Sequence, residues 1–417
     1  MRPETSDTTG MRRQATGASP VELQARADAQ LEAAAPPASR RVETIDMWRG
    51  LVLVVIFINH VPGNLLEHLT MKNFGFSDSA EAFVFVSGLA VALAYFPKLN
   101  AGDWFGTARR CVKRAVKLYG VHLLLTLAAL VMFGQAFLAT GITELATNHG
   151  RDISFMEPAR ALAGLALLSH QIGYFNILPL YILLMLVAVP LLMLAWVRPV
   201  LALAISIAVY AWSRFSDFGL PTWPIEGRWF FDPLGWQLLF TVGIVCGVVW
   251  RGRKLPFSPT LFGLSIAWLL ISLIVVTNGF GQSPGLYDEA RAWADLSKTD
   301  LGLGRMFHFL ALAYVLSQMR VGEAILRLPG ADKLTLMGRH GLAVFAAGSL
   351  ASALGQILLA VSHGSPIVGV VYVVAGIAGL VTFASCLEWF STARSQRGSA
   401  RQSHAPGDAS QHNGAEA

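Results

Sequence analysis

Apolar runs of helical length, separated by short polar stretches, recur along the chain from about residue 48 to residue 390. They are too continuous for the alternating pattern of a membrane barrel. A helix, by contrast, satisfies its own backbone polar groups where water is absent. The pattern predicts ten spans, near residues 48–68, 78–97, 118–139, 172–196, 198–213, 233–250, 259–278, 302–320, 341–361 and 366–390. The fourth and fifth boundaries are the least marked, because Pro190 and Pro199 interrupt the run. Pro158 to His170 is apolar but too short to span, and reads as an interfacial or re-entrant helix. The expected fold is therefore an all-α polytopic membrane protein of about ten transmembrane helices.

Composition supports this class: 54% of the 417 residues are hydrophobic and 14% charged, whereas a soluble domain is about one quarter charged. Charge then supplies an orientation. Lys98, Arg109, Arg110, Lys113, Arg114 and Lys117 stand between spans two and three against a single Asp103, and Arg251, Arg253 and Lys254 fill another loop on that side. Those loops are expected to be cytoplasmic. The opposite loops are mixed in sign, and an even number of spans puts both termini in the cytoplasm. The net charge of +6 follows from this asymmetry and calls for no nucleic acid. Trp104, Trp196, Trp223, Trp229, Trp250 and Trp389 fall near span ends or in loops, as interfacial anchors do. Residues 1–40 are polar, lack an apolar core of signal-peptide length and read as a disordered cytoplasmic leader. Residues 41–390 form the integral-membrane domain, and 391–417 a disordered cytoplasmic tail. Cys111, Cys246 and Cys386 are too scattered for a disulfide or thiolate–metal framework, and no metal site is expected.

One intramembrane group stands out. Asp46, Arg49 and His60 fall on one helical stripe, with His60 roughly 16 Å beyond Arg49 and about 21 Å beyond Asp46. That depth is about half of a ~30 Å hydrocarbon core. Ionisable residues at such depth usually face a cavity and mark a pathway or reaction centre. His60 is thus a candidate general base, with interhelical hydrogen bonding as the plainer alternative. Asp46 is too far from it to act directly and is expected to pair with Arg49. Reaching across the bilayer requires the first span to continue through Pro62-Gly63 as a kinked helix, which leaves the Ile58 carbonyl without its usual donor.

Three other groupings carry chemistry. The run Phe83-Val-Phe-Val-Ser87-Gly88-Leu89 could let span two approach His60 closely, although plain helix packing is the better explanation. The basic segment Arg109 to Tyr119 could grip phosphate, or serve only orientation and anionic lipid. Arg305 and His308 share a helical face at the start of span eight, where interfacial snorkelling explains the arginine equally well.

Taken together, Asp46-x-x-Arg49-Gly50, the spacing from Arg49 to His60, the run ending at Gly88 and the segment Arg114-Ala-Val-Lys117-Leu-Tyr119 resemble the acyltransferase-3 superfamily. Within it the chain is similar to the OpgC branch, which succinylates osmoregulated periplasmic glucans. The narrower likeness rests on Asn176-Ile-Leu-Pro-Leu-Tyr181, Asp232 to Phe240, Arg305 to Tyr314 and Gly338-Arg-His-Gly-Leu-Ala-Val-Phe345, over about residues 41–390. The resemblance implies a bacterial inner-membrane enzyme. It would take an acyl group from a cytoplasmic acyl-CoA, expected to be succinyl-CoA, as co-substrate with no permanently bound cofactor. The acceptor would be a hydroxyl of a periplasmic glucan, with glucan-synthesis proteins as candidate partners. His60 would be the catalytic histidine, with Arg49 and Asp46 in the same helix. Arg110, Lys113, Arg114, Lys117 and Arg339 would approach the donor, and Ser87, Tyr174, Asn176, Gln237, Arg305 and His308 would contact substrate. The chain departs from the superfamily where Lys117 replaces a second arginine, losing bidentate geometry, and where Gly120 stands in place of a frequent proline.

A sugar hydroxyl is a poor nucleophile, and a neutral histidine is suited to take its proton. Direct transfer and an acyl-histidine intermediate both fit. The free carboxylate of a succinyl donor needs a cation, for which Arg305 and His308 are candidates by position. The aromatic segment Gly219 to Asp232 could stack on a sugar, or simply sit in the interfacial belt. Two competing classes share an intramembrane histidine: an O-acetyltransferase for another surface polysaccharide or lipid, and a proton-coupled transporter. For the transporter, internal repeats are commonly detectable, and no second copy of the Asp46–His60 pattern is apparent.

Overall fold

The computed structural model describes residues 38–250 and 255–403. The proposed leader up to residue 37, the basic loop Arg251, Arg253 and Lys254, and the tail beyond residue 403 lie outside the described residues. In chain order the first helices are α1 (Ala38–Asn59), α2 (Ser79–Asn100) and α3 (Trp104–Thr140). Three short helices follow: α4 (Glu144–Thr147), α5 (Asp152–Met156) and α6 (Pro158–Ala166). Next come α7 (Ile177–Val197), α8 (Pro199–Ser216), α9 (Pro233–Trp250), α10 (Pro259–Val276) and α11 (Leu286–Trp293). The chain closes with α12 (Leu303–Gln318), α13 (Val321–Ile325), α14 (Ala331–Arg339), α15 (Gly341–Val361) and α16 (Pro366–Ser403). A two-residue pairing of Pro221–Thr222 with Gly227–Arg228 is the only sheet among the described residues.

Each of the ten apolar runs is a helix, so the chain is an all-α polytopic membrane protein. Eight of these helices are long and apolar enough to cross a membrane. The two that fall short are α1, which carries Glu43, Asp46 and Arg49, and α12, with 16 residues. The expected interfacial helix is α6. The fourth and fifth runs are separated at Arg198, whose extended backbone (φ −153°, ψ 110°) stops α7 before Pro199 opens α8. Asp103 caps α3 by accepting from the Gly106 amide at 3.0 Å. At 37 residues α3 is about 55 Å long, well beyond a ~30 Å hydrocarbon core. The basic segment expected in a loop is therefore the projecting first turns of α3. Trp104 and Trp196 meet edge to face at that end, with centroids 5.1 Å apart, and Trp196 donates to Asn100.

One expectation needs correcting. The first span does not continue through Pro62-Gly63 as a kinked helix: α1 stops at Asn59, Gly63 is left-handed at φ +89°, and a 3-10 turn follows at Leu65–Leu69. The donor that Pro62 lacks is replaced locally, because Asn64 Nδ2 donates to the carbonyls of Ile58 (2.9 Å) and Val61 (2.5 Å). Gly88 serves the helix packing favoured for it and does not bring α2 to His60. It faces α9, where a Cβ at residue 88 would lie 2.2 Å from the Phe240 carbonyl oxygen. Helix α16 runs on to Ser403, into the segment read as a tail.

The site is positioned by α1, α2, α3, α7, α14 and α15. Helix α14 lies against the first half of α1, so closely that a Cβ at Gly50 would lie 1.9 Å from the Leu334 carbonyl oxygen and one at Gly338 would lie 1.8 Å from that of Asp46. At the end of the bundle opposite the basic segment, the mixed charges pair with one another. Lys298 bonds Asp78 at 2.5 Å, Arg305 bonds Glu81 at 2.7 Å, and Arg214 bonds Asp295 at 2.9 Å.

Candidate active site

A cavity of about 370 Å³ enters the bundle at its basic end. Its polar wall is made by Arg49, Ser87, Tyr95, Arg114, Lys117, Tyr181, Arg339 and His340. Two of the cations are already compensated. Arg49 donates to Asp46 Oδ1 at 2.8 Å and to the Gly338 carbonyl at 3.1 Å. Arg339 and His340 share Glu388, at 2.9 Å and 2.8 Å. Arg114 and Lys117 have no acidic partner among the described residues, and three positions of helix place them on one face toward the cavity. The cavity wall thus offers two cations without an acidic partner among the described residues, a setting for an anionic ligand.

Farther in, the wall turns apolar. Leu53, Phe83, Leu178 and Phe345 line this end, and the Phe83 ring lies 5.8 Å from Tyr181 and 6.0 Å from Phe345. His60 is not part of the lining. Seven residues of chain from Leu53 to His60 correspond to roughly 10 Å of rise. On the α7 side, Leu178 lines the cavity, while Tyr174, four residues earlier in the turn that precedes the helix, lies against the His60 ring at 5.0 Å.

His60 is held through its backbone. Its amide donates to the Ile56 carbonyl at 3.0 Å, and its own carbonyl accepts from Gln356 Nε2 at 2.9 Å. Among the described residues nothing hydrogen-bonds its imidazole, which leaves the ring nitrogens for a ligand. Tyr174 also meets His149, with centroids 4.9 Å apart. Arg151 anchors that turn by donating to the carbonyls of Leu145 (2.9 Å) and Glu144 (3.0 Å) and by lying 4.0 Å over the Phe133 ring. Burial pulls the His149 imidazole below its ordinary range, and Arg151 adds to the effect.

The structure therefore brings together Arg49, Ser87, Arg114, Lys117 and Arg339 in the cavity, with Asp46 behind Arg49, and His60 with Tyr174 beyond it. The other expected site residues lie elsewhere. Arg110 is bonded to Asp103 at 2.6 Å, and Lys113 points to the exposed side of α3, about 100° around from Arg114. Asn176 caps α7 without a side-chain bond. Gln237 joins α9 to α8, accepting from Ser206 Oγ at 2.5 Å and donating to the Ser206 carbonyl at 2.9 Å. Arg305 is engaged by Glu81 and, at 3.4 Å, by Asp78. His308 Nδ1 shares a hydrogen with Ser77 Oγ at 2.8 Å, and a Cβ at Gly75 would lie 2.1 Å from its Nε2. Neither of these last two groups faces the cavity or His60. Sequence reasoning missed Tyr95, Tyr181, His340 and His149. Tyr181 and His340 stand inside two of the segments that carried the family likeness. His149 lies in a loop with no periodic signal.

Fold and site together define a multi-pass membrane protein with a basic cavity at one end and a histidine beyond its closed tip. The family model described as OpgC protein matches residues 40–392. The chain belongs to the OpgC family. No curated protein and no solved structure matches significantly.

Proposed function

We propose that this OpgC-family protein is a membrane acyltransferase of the acyltransferase-3 type. In this reading it moves an acyl group, succinyl in the first instance, from a cytoplasmic acyl-CoA to a hydroxyl of a periplasmic glucan in a bacterial inner membrane. The observation that carries it is the cavity itself: Arg114 and Lys117 without acidic partners among the described residues at its basic end, and an apolar end lined by Leu178, four residues after the Tyr174 that meets His60. Excess Arg and Lys mark cytoplasmic loops, which supports a cavity mouth on the donor side and His60 toward the acceptor.

The donor's phosphates sit against Arg114 and Lys117, with its acyl arm pointing inward past Ser87. With Arg305 and His308 committed elsewhere, the cavity's own cations are what remain to receive a succinyl carboxylate. Neutral His60 takes the proton of the sugar hydroxyl, whose oxygen attacks the thioester carbonyl. The carbon–sulfur bond breaks, and the proton passes from imidazolium to the departing thiolate, giving the ester and free coenzyme A. Attack by the imidazole itself, followed by transfer from an acyl-histidine, balances equally. In both, Phe83, Tyr181 and Phe345 have to part for the acyl carbon to reach His60.

The test is mass spectrometry of glucan purified from cells carrying wild-type protein or His60→Ala at equal abundance. Loss of the ester in the variant is the expected result. Retention of the ester contradicts the assignment of His60.

A further inference from the structure

Among the described residues the imidazole of His60 has no hydrogen-bonding partner, although a base has to aim one nitrogen at its proton donor. The backbone on either side is fixed, by the Gln356 bond to the His60 carbonyl and by Asn64 on the Ile58 and Val61 carbonyls. Rotation about the side-chain bonds is not. The ring contact on His60 is Tyr174, inclined at 59° with centroids 5.0 Å apart.

Tyr174 is itself placed at some cost. It adopts the left-handed region, φ +70°, and so does His149, φ +60°. A non-glycine residue in that region is uncommon, and two such residues in contact beside a reaction centre are the kind of strain that persists where the surroundings impose it. Those surroundings are visible. The Gly173 amide donates to the His149 carbonyl at 2.9 Å, and a Cβ at Gly173 would come within 2.7 Å of His149 Cβ, so the two turns meet only because residue 173 is glycine. Buried Ile172 and Phe175 flank Tyr174 and pin its backbone. The rings of His149 and Tyr174 then meet at 68°. His60, Tyr174 and His149 form a row in which each ring is set by the next, and the last belongs to the turn anchored by Arg151.

We infer that Tyr174 is a positioning residue for His60: its ring, braced by His149, fixes the orientation of the imidazole. The inference rests on the proposed role of His60 and gives Tyr174 a part other than binding substrate. The aromatic face carries the effect, because no hydrogen bond from the Tyr174 hydroxyl is needed.

The experiment compares Tyr174→Phe, Tyr174→Leu and His149→Ala in purified protein by two readouts. In acyl transfer, Tyr174→Leu lowers kcat about 100-fold with little change in acceptor KM, the order expected for a misplaced catalytic group. Tyr174→Phe keeps the ring and stays within about threefold of wild type, and His149→Ala falls between. Independently of activity, diethyl pyrocarbonate modification of the His60 peptide, followed by mass spectrometry, should be about threefold faster in Tyr174→Leu and unchanged in Tyr174→Phe, since the ring lies against the imidazole with centroids 5.0 Å apart. A Tyr174→Phe variant as impaired as Tyr174→Leu, a defect confined to KM, or a His60 modification rate indifferent to the ring overturns the inference. If instead His60→Ala retains acyl transfer while the modification rates behave as expected, the positioning contact stands and the role given to His60 fails.

Discussion

The side-chain amide of Asn64 donates to the carbonyl of Ile58 at 2.9 Å, filling the place of the amide that Pro62 lacks. It also bonds the Val61 carbonyl at 2.5 Å, while its Oδ1 accepts from the Glu67 amide at 3.1 Å. Asn64 is fully buried, so water is not a substitute. Replacing it by Ala leaves two carbonyls without these donors, at a cost of about 1–3 kcal/mol for each that stays unsatisfied. Asn64→Asp keeps the acceptor but loses both donors, and is expected to be no better. Thermal unfolding in detergent should show both variants destabilised. A melting temperature unchanged in both would mean that α1 ends without needing this cap.

Arg114 and Lys117 are expected to act on donor binding. Losing one charge-assisted contact costs about 1.5–3 kcal/mol, so Arg114→Ala and Lys117→Ala should each raise the acyl-CoA KM by about 10- to 100-fold with a smaller change in kcat. Arg110 is already bonded to Asp103, and Lys113 lies outside the cavity. Their alanine variants should shift the same KM only within about ±0.5 kcal/mol, as surface substitutions do. Equal effects at all four positions would show that overall positive charge attracts the donor, and that the cavity face has no special part.

The pairing of Lys298 with Asp78 predicts a pH dependence at the opposite end of the bundle. Burial alone would raise the Asp78 carboxyl, but Lys298 at 2.5 Å and Arg305 at 3.4 Å outweigh it and hold the group well below the usual carboxylate range. A depressed folded value contributes stability that is fully present above the unfolded value of about 3.9 and disappears as pH falls through the folded one. Asp78→Asn should therefore unfold at a lower temperature than wild type at pH 7, with the difference shrinking toward pH 3. Thermal scans across that range check it. A difference that grows on acidification would reverse the sign of the linkage.

The positions of the ten helices were legible because each carries a continuous apolar run, and periodicity reports such runs directly. What periodicity cannot report is the partner across the gap. Arg305 and His308 share a helical face as expected, yet Glu81 and Ser77, remote in sequence, engage Arg305 Nε and His308 Nδ1. The end of α1 was misjudged for the opposite reason: Pro62 signalled a break, but the side chain that stabilises the broken end is Asn64, two residues later. In the basic segment, composition marked four cations alike, and only packing against α2, α7 and α15 separates Arg114 and Lys117 from Arg110 and Lys113. The likeness to the OpgC family did better with the cavity, since Tyr181 and Arg339-His340 all lie within segments that carried it.

The central claim is that donor and acceptor meet at His60 from opposite faces of the membrane. The direct measurement uses inside-out vesicles with glucan enclosed and radiolabelled succinyl-CoA added outside, where the cytoplasmic face is exposed. Label should appear in ester linkage on the enclosed glucan with wild-type protein and be absent with His60→Ala. No label on the glucan with wild-type protein, or equal labelling with His60→Ala, would contradict the account.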